Sequence, residues 1–253
     1  MEKLLRASFT RMLKSYTFWI CAAAAFLIGL CASIIAAAGG SLWHIEWEPH
    51  ILGRFKEAPF FAAVFSSLFL GTEYSNGTLR NKLMIGSGRT SIYLSNLICT
   101  VSGGLLITAA ELLVPMGYGI ILFTKYGAPE PKFWSNLGIC EGTIAAFCSL
   151  LALFGMICSK KAVTVMTAIC VTIICYLTSS AVTERLNDSS GYYDGFYVHT
   201  ALSVVDKVLP FGAIERVSSN YREVQDSVPL FSLGTAAIST AVGIVIFRKK
   251  DLK

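Results

Sequence analysis

Tyr16–Ala38 reads YTFWICAAAAFLIGLCASIIAAA, twenty-three residues without a charge. A helix needs about 20 apolar residues to cross the hydrocarbon core of a bilayer, and it satisfies its own backbone hydrogen bonds while doing so. This segment therefore predicts a membrane span. The rest of the 253-residue chain agrees: 54% of it is hydrophobic, only 15% is charged, and the mean hydropathy is +0.61. A soluble domain carries about 25% charge, so a chain this apolar would leave more oily surface than water tolerates. An ordinary cytosolic enzyme, a disordered chain and a disulfide-stapled secreted protein are all excluded. The eight cysteines lie in or beside apolar runs and form no C-x-x-C pair, which marks them as small packing residues.

Working outward, six segments qualify as spans: 16–38, 56–72, 92–123, 134–158, 162–182 and 230–247. The second is the weakest, because its strongly apolar part is only Ala58–Leu70. The third is interrupted by Glu111, Pro115 and Gly117; Pro115 and Gly117 are helix disruptors that could kink it and open a polar pocket beside Glu111. Spans four and five are separated by little more than Lys160-Lys161 and form an antiparallel hairpin. The expected fold is all-α, a single polytopic domain over 1–253.

Basic residues set the orientation. With both termini inside, the inner segments 1–15, 71–91, 159–161 and 248–253 hold 13 of the 21 Lys and Arg in 45 positions. The outer segments hold 8 in 76 positions, while 11 of the 16 acidic residues lie outside and 3 inside. Both ends are expected to face the cytoplasm. The first apolar run is too long for the core of a signal peptide, about 7–15 residues, so it is expected to persist as a span.

Residues 3–16 carry an apolar stripe of Leu5, Phe9, Met12, Leu13 and Tyr16, with Lys3, Arg6 and Lys14 largely opposite. That periodicity predicts a basic amphipathic helix over about 1–15, lying in the inner headgroup layer; a plain solvated basic tail is the alternative. In 71–91, Asn76-Gly77 signals a turn, after which Thr78–Ile85 can form a short helix ended by Gly86. Such a helix would expose Arg80, Lys82 and Arg89 at the cytoplasmic surface while Leu79, Leu83 and Met84 grip the membrane boundary. It would suit a cytoplasmic partner as a lever, or it is simply a loop obeying the charge rule. The 47 positions of 183–229 are too many for a connector; their half-apolar part, Phe196–Ile214, could cap the outer mouth of a pathway as short helices.

Glu73 through Lys82, with Gly86, Arg89-Thr90 and Tyr93, resembles the loop after the second helix in permease subunits of type-2 ATP-binding-cassette (ABC) exporters, among them bacitracin-export-like and lantibiotic-immunity-like permeases. The ending Phe247-Arg248-Lys249-Lys250-Asp251-Leu252 is similar to one common in that family, and Pro210-Phe211-Gly212 more weakly resembles its re-entrant outer region. The resemblance implies a coupling helix between spans two and three that docks on a separate ATPase subunit. Glu73, Arg80, Asn81, Lys82 and Arg89 are then the candidates for that contact. It also implies a second permease copy or homologue, ATP and Mg bound on the partner, and export of an amphiphilic peptide, antibiotic or lipid-like cargo from a bacterial cell membrane.

No Gly-x4-Gly-Lys-Ser/Thr stretch occurs, and Gly86-Ser87-Gly88-Arg89-Thr90 lacks the lysine and the preceding strand of a phosphate loop. No His-Glu-x-x-His or nucleophile elbow occurs, and Met116-Gly117-Tyr118-Gly119 lacks the Thr-Val of a potassium filter. The chain is expected to be no enzyme, to hold no cofactor or metal of its own, and to bind lipids rather than nucleic acid. His44, Glu46, Glu48 and His50 alternate and could ligate a metal if extended, but Trp43, Ile45 and Trp47 on the opposite face favour an interfacial anchor. Glu111 is the sharpest single residue. A carboxylate at mid-span costs roughly 2.5–3.5 kcal/mol unless paired, protonated or wetted. It is either a pathway group that meets a cationic part of the cargo or a carboxyl hydrogen-bonded within the bundle. Two further readings stay open beside the exporter: a secondary carrier that uses Glu111 for proton coupling, and a membrane sensor or scaffold.

Overall fold

The computed structural model describes residues 2–38, 47–126, 130–158, 160–187, 196–219 and 228–250. These residues are almost wholly helical, and no strand occurs among them. The order is α1 (Glu2–Leu13), α2 (Tyr16–Ala38), α3 (Trp47–Gly53), a 3-10 turn at Arg54–Lys56, α4 (Ala58–Ser75), α5 (Thr78–Met84), α6 (Arg89–Tyr126), α7 (Pro131–Ile157), α8 (Lys161–Asn187), α9 (Phe196–Val208), α10 (Pro210–Ser219) and α11 (Val228–Lys249).

Five helices, α2, α6, α7, α8 and α11, are long and apolar enough to cross a membrane. Their outward faces show why no aqueous surface suits them: Ile20, Ile35, Met166, Leu230 and Leu233 are each about two-thirds exposed or more. A contiguous apolar exterior of this kind belongs in hydrocarbon. The sixth expected span, α4, does not meet the same standard of length and composition. Its 18 residues reach about 27 Å, and it packs against α2, α6, α7 and α8. Eleven of those residues are buried, including Ser66, Ser67 and Glu73. A helix clothed by other helices meets little lipid, so its own sequence is released from the apolar requirement.

The six longer helices alternate in direction. At one end Tyr74, Met156 and Lys250 meet: the Tyr74 hydroxyl donates to Met156 O at 2.5 Å, and Lys250 Nζ donates to Met156 O at 3.0 Å and Ile157 O at 2.9 Å. At the other end Lys56 pairs with Glu215 at 2.7 Å, and Glu48 Oε1 accepts the Glu130 N–H at 3.0 Å. We call these the α5 end and the α10 end. Both described ends of the chain, α1 and Lys250, lie at the α5 end.

Small residues set the closest helix approaches. An ideal Cβ built on Gly29 of α2 would collide with the backbone carbonyl of Glu111 in α6, so only glycine lets these helices come so near. Hydroxyls join α7 to α11, with Ser149 and Ser239 oxygens 2.7 Å apart and Thr143 and Ser232 3.2 Å apart. All eight cysteines are free, and Cys21, Cys99, Cys140 and Cys148 are buried among apolar neighbours.

The third expected span lengthens from 92–123 to the 38 residues of α6, helical through both Pro115 and Gly117. In the 183–229 stretch, α9 and α10 pack on α8, and α10 also on α3 and α7. Phe211 of α10 sits edge-on to Phe60, Phe147 and Tyr176 at centroid distances of 6.0, 5.4 and 5.8 Å. His44 and Glu46 of the alternating segment lie outside the described residues.

Candidate functional site

The turn between α4 and α5 is built on backbone freedom. Gly77 has φ +65°, a conformation most residues avoid, and it lets the chain reverse directly from α4 into α5. Gly86 at φ +86° stops α5 after two turns, with its N–H on Leu83 O at 2.9 Å and the Ser87 N–H on Lys82 O at 3.1 Å. The Thr78 hydroxyl donates back to Glu73 O at 3.0 Å, stapling α5 to the last turn of α4.

Glu73 is the centre of this end. Its side chain is 0% exposed. Oε1 takes Arg11 Nη1 of α1 at 2.5 Å and Lys82 Nζ of α5 at 2.6 Å, and Oε2 accepts the Asn96 amide of α6. Arg11 also lies 4.2 Å over the Phe69 ring, and Lys82 Nζ reaches Ser8 Oγ of α1 at 3.4 Å. An unpaired buried carboxylate would be strongly unfavourable; here two cations and an amide hold it. The result is a four-way joint: α5 cannot tilt without disturbing α1, α4 and α6.

The joint divides the basic residues of 71–91. Lys82 and Arg89 are not displayed at the surface as expected. Lys82 turns inward to Glu73, and Arg89 donates to Arg248 O at 3.2 Å and to Lys250 O. Glu73 itself is buried and offers nothing to a partner. Arg80 and Asn81 point outward and are exposed, as are Met84 at 77% and Ile85 at 84%. Leu79 is buried at 1%. Arg11, Ser8 and Asn96 were not singled out in the sequence. Arg11 nonetheless falls three residues after Ser8 and one before Met12, both buried, so a cation on the inward face was there to find.

The chain beyond α11 is fastened at the same end. Lys250 Nζ lies 4.3 Å over the Tyr74 ring, 3.0 Å from its hydroxyl, and on the last carbonyls of α7. A cation at a helix C-terminus meets orphan carbonyls and the negative end of the dipole. Burial holds the Lys250 ammonium below its ordinary pKa.

Glu111 lies elsewhere. It is 22 residues along the 38-residue α6 from Arg89, about 33 Å up the axis and a little past the middle of the helix. It is 0% exposed. The charges facing it are Glu57 and Arg54. Nearby, Asp206 of α9 is buried between Arg216 of α10 and the Thr183 hydroxyl, which donates at 3.3 Å. Burial raises the Asp206 carboxyl above its usual range, and the Arg216 charge opposes this.

Comparison with protein-family models matches none to this chain, and comparison with curated proteins finds no relative.

Proposed function

We propose that this chain is the membrane-spanning permease subunit of an ATP-driven exporter of the type-2 ABC kind, with α5 as the element that a cytoplasmic ATPase moves. The observation that carries the reading is the Glu73 joint. A seven-residue helix that displays Arg80 and Asn81 outward, while Lys82 ties it to a buried carboxylate shared by α1, α4 and α6, is a lever fixed to the bundle. A plain charge-rule loop needs no such attachment.

In this reading α4 is the second of six spans, both ends of the chain face the cytoplasm of a bacterial cell, and α1 lies in the inner headgroup layer. ATP and Mg are held by the partner, because no phosphate loop exists in this sequence. Two permease chains, identical or homologous, enclose the path. Closure of the ATPase pair pushes α5, and the joint passes that push to α1 and α6 together. The residues that touch the ATPase are Arg80 and Asn81; Glu73, Lys82 and Arg89 act from behind them. Glu111 belongs to the pathway, α9 and α10 cap its outer mouth, and the cargo is an amphiphile. A second reading, a proton-coupled carrier, draws on one observation, the enclosed Glu111 carboxyl that faces a second carboxyl, Glu57.

Affinity purification of the full chain from its native membrane tests the proposal. A nucleotide-hydrolysing subunit should be retained, lost with Arg80→Glu, and kept with Glu184→Gln at the opposite end. The reading fails if no such subunit attaches, or if a cysteine at Asn81→Cys is labelled only from outside the cell.

A further inference from the structure

The first helix carries a cationic face that the bundle leaves open. Lys3, Arg6, Ala7, Thr10, Arg11 and Lys14 line a trough of about 590 Å³ along α1 and the residue that follows it. Their spacing of three or four positions puts them on one side of the helix. Two small residues, Ala7 and Thr10, lie midway, and long cationic side chains stand towards both ends. Lys3, Arg6 and Lys14 are exposed, and among the described residues no acid pairs with them. Arg11 is committed through Nη1 to Glu73.

The balance of charge names the class of partner. Glu2 is the only acid of α1, and the joint beside it sets Arg11 and Lys82 against the single carboxylate of Glu73. Five cations against two carboxylates leave three positive charges in excess, so the partner is anionic. Its position says that the anion is attached to hydrocarbon. The Lys14 end stands where α1 turns into α2. Around that corner Leu13, Tyr16, Trp19 and Ile20 are exposed at 48%, 87%, 59% and 67%, and the Trp19 indole N–H donates to Leu13 O at 2.8 Å. Tyr and Trp rings concentrate at the headgroup level of membranes, and basic segments beside a span attract acidic lipids. A soluble anion gains nothing from such neighbours.

We propose that the α1 trough holds the phosphates of anionic phospholipids, Lys3 with Arg6 at one end and Lys14 at the other, with the acyl chains along the outer face of α2. This deepens the export reading at α1, whose place in the inner headgroup layer it takes from that reading. Lipid binding is measured with no ATPase present, so the two can fail separately.

The test uses the full chain in uncharged maltoside micelles, titrated with dihexanoyl-phosphatidylglycerol, with dihexanoyl-phosphatidylcholine for the same tails without net charge, and with sodium phosphate for the anion without tails. Binding is followed by tryptophan fluorescence, with Trp19→Phe marking the part of the signal that comes from the corner. Phosphatidylglycerol should bind at least about tenfold more tightly than phosphatidylcholine at about 0.1 M salt, and lose most of that margin near 1 M, where charges are screened beyond about 3 Å. The triple variant Lys3→Gln, Arg6→Gln, Lys14→Gln should remove the margin. Lys3→Arg, Arg6→Lys, Lys14→Arg, which keeps every charge, guards against a mere folding defect and should retain it, as should Lys207→Gln in α9. Equal binding of the two lipids overturns the proposal, as does an undiminished margin in the triple glutamine variant. Sodium phosphate binding as tightly as phosphatidylglycerol overturns it too, because the site then takes a soluble anion. So does a cytoplasmic protein that the wild type retains, the glutamine variant loses and phosphatidylglycerol cannot displace, because the face is then a protein contact.

Discussion

Replacing Glu73 by glutamine keeps its shape and one acceptor oxygen while deleting the charge that holds Arg11 and Lys82. The structure allows the loss to be sized. A hydrogen bond to a charged group contributes about 1.5–3 kcal/mol and a neutral one about 0.5–1.5, so each of the two contacts gives up about 1–1.5 kcal/mol. The Arg11 and Lys82 side chains are 32% and 18% exposed, so water screens part of their mutual repulsion and keeps the total near 2–3 kcal/mol. Glu73→Ala, which also orphans the Asn96 amide and opens a void, should cost about 3–5 kcal/mol. Unfolding of the full chain by titration with a denaturing detergent measures both. Tryptic cleavage at Arg80 gives a local readout, because a released α5 exposes its backbone to the protease. A double-mutant cycle with Arg11→Gln completes the test: once Glu73 has lost its charge, Arg11 has less to lose, so the double variant should lie about 1–2 kcal/mol above additivity. An additive cycle, or a Glu73→Gln protein within about 0.5 kcal/mol of wild type, would refute the claim that this carboxylate organises the joint.

Four other substitutions follow from the structure. Gly29→Ala drives a methyl group into the Glu111 carbonyl and should destabilise by about 1–3 kcal/mol, whereas Gly138→Ala, with open space around its Cβ, should be neutral or stabilise by about 0.5–1 kcal/mol; detergent-titrated unfolding of the pair compares them directly. The His50 imidazole has a folded pKa below its ordinary 6.5, so the unfolded chain binds the proton more readily. Stability should therefore be fully present above pH 6.5 and fall as the pH drops through about 6.5 toward the folded value, and His50→Gln should flatten a thermal-midpoint profile over that range. Lys250→Met removes a cation from the last carbonyls of α7 and should cost about 1–2 kcal/mol, with earlier proteolysis at Lys160 and Lys161 as the local sign.

Much of the fold was legible because lipid imposes a simple rule. A span must be long, helical and apolar, and Tyr16–Ala38, Trp134–Cys158 and Ala162–Val182 announce themselves within a few residues of α2, α7 and α8. Segment 56–72 was faint for a reason the structure supplies. Its serines and Glu73 lower its hydropathy, and they are buried where α4 packs on α2, α6, α7 and α8. The ends of α6 were underestimated because the residues it adds, Arg89-Thr90-Ser91 and Thr124-Lys125-Tyr126, are polar, and hydropathy stops short of them. Where α9 and α10 would settle could not be read at all. The ring cluster that receives Phe211 is assembled from α4, α7 and α8, and no local pattern reports an assembly of that kind.

The site was legible in its location and not in its division of labour. Reading 71–91 as a positive loop placed Arg80, Lys82 and Arg89 in one class, all facing water. A helix advances 100° per residue, so once Leu79 is buried Lys82 and Leu83 turn inward with it, while Arg80 and Asn81 turn away. That inference needed only the knowledge that an acceptor lies within reach of Lys82. That acceptor, Glu73, is only nine positions away, but what buries it is not local: Arg11 lies on α1 and Asn96 on α6. Seven residues are too few for a helix to persist alone, since isolated helices need about 12–15. The shape of α5 is therefore lent to it by Glu73, Leu79 and the Thr78 staple. The display of Arg80 and Asn81 depends on what lies behind them, so a substitution that loosens the joint should weaken any docking at α5 without altering a single residue that touches the partner.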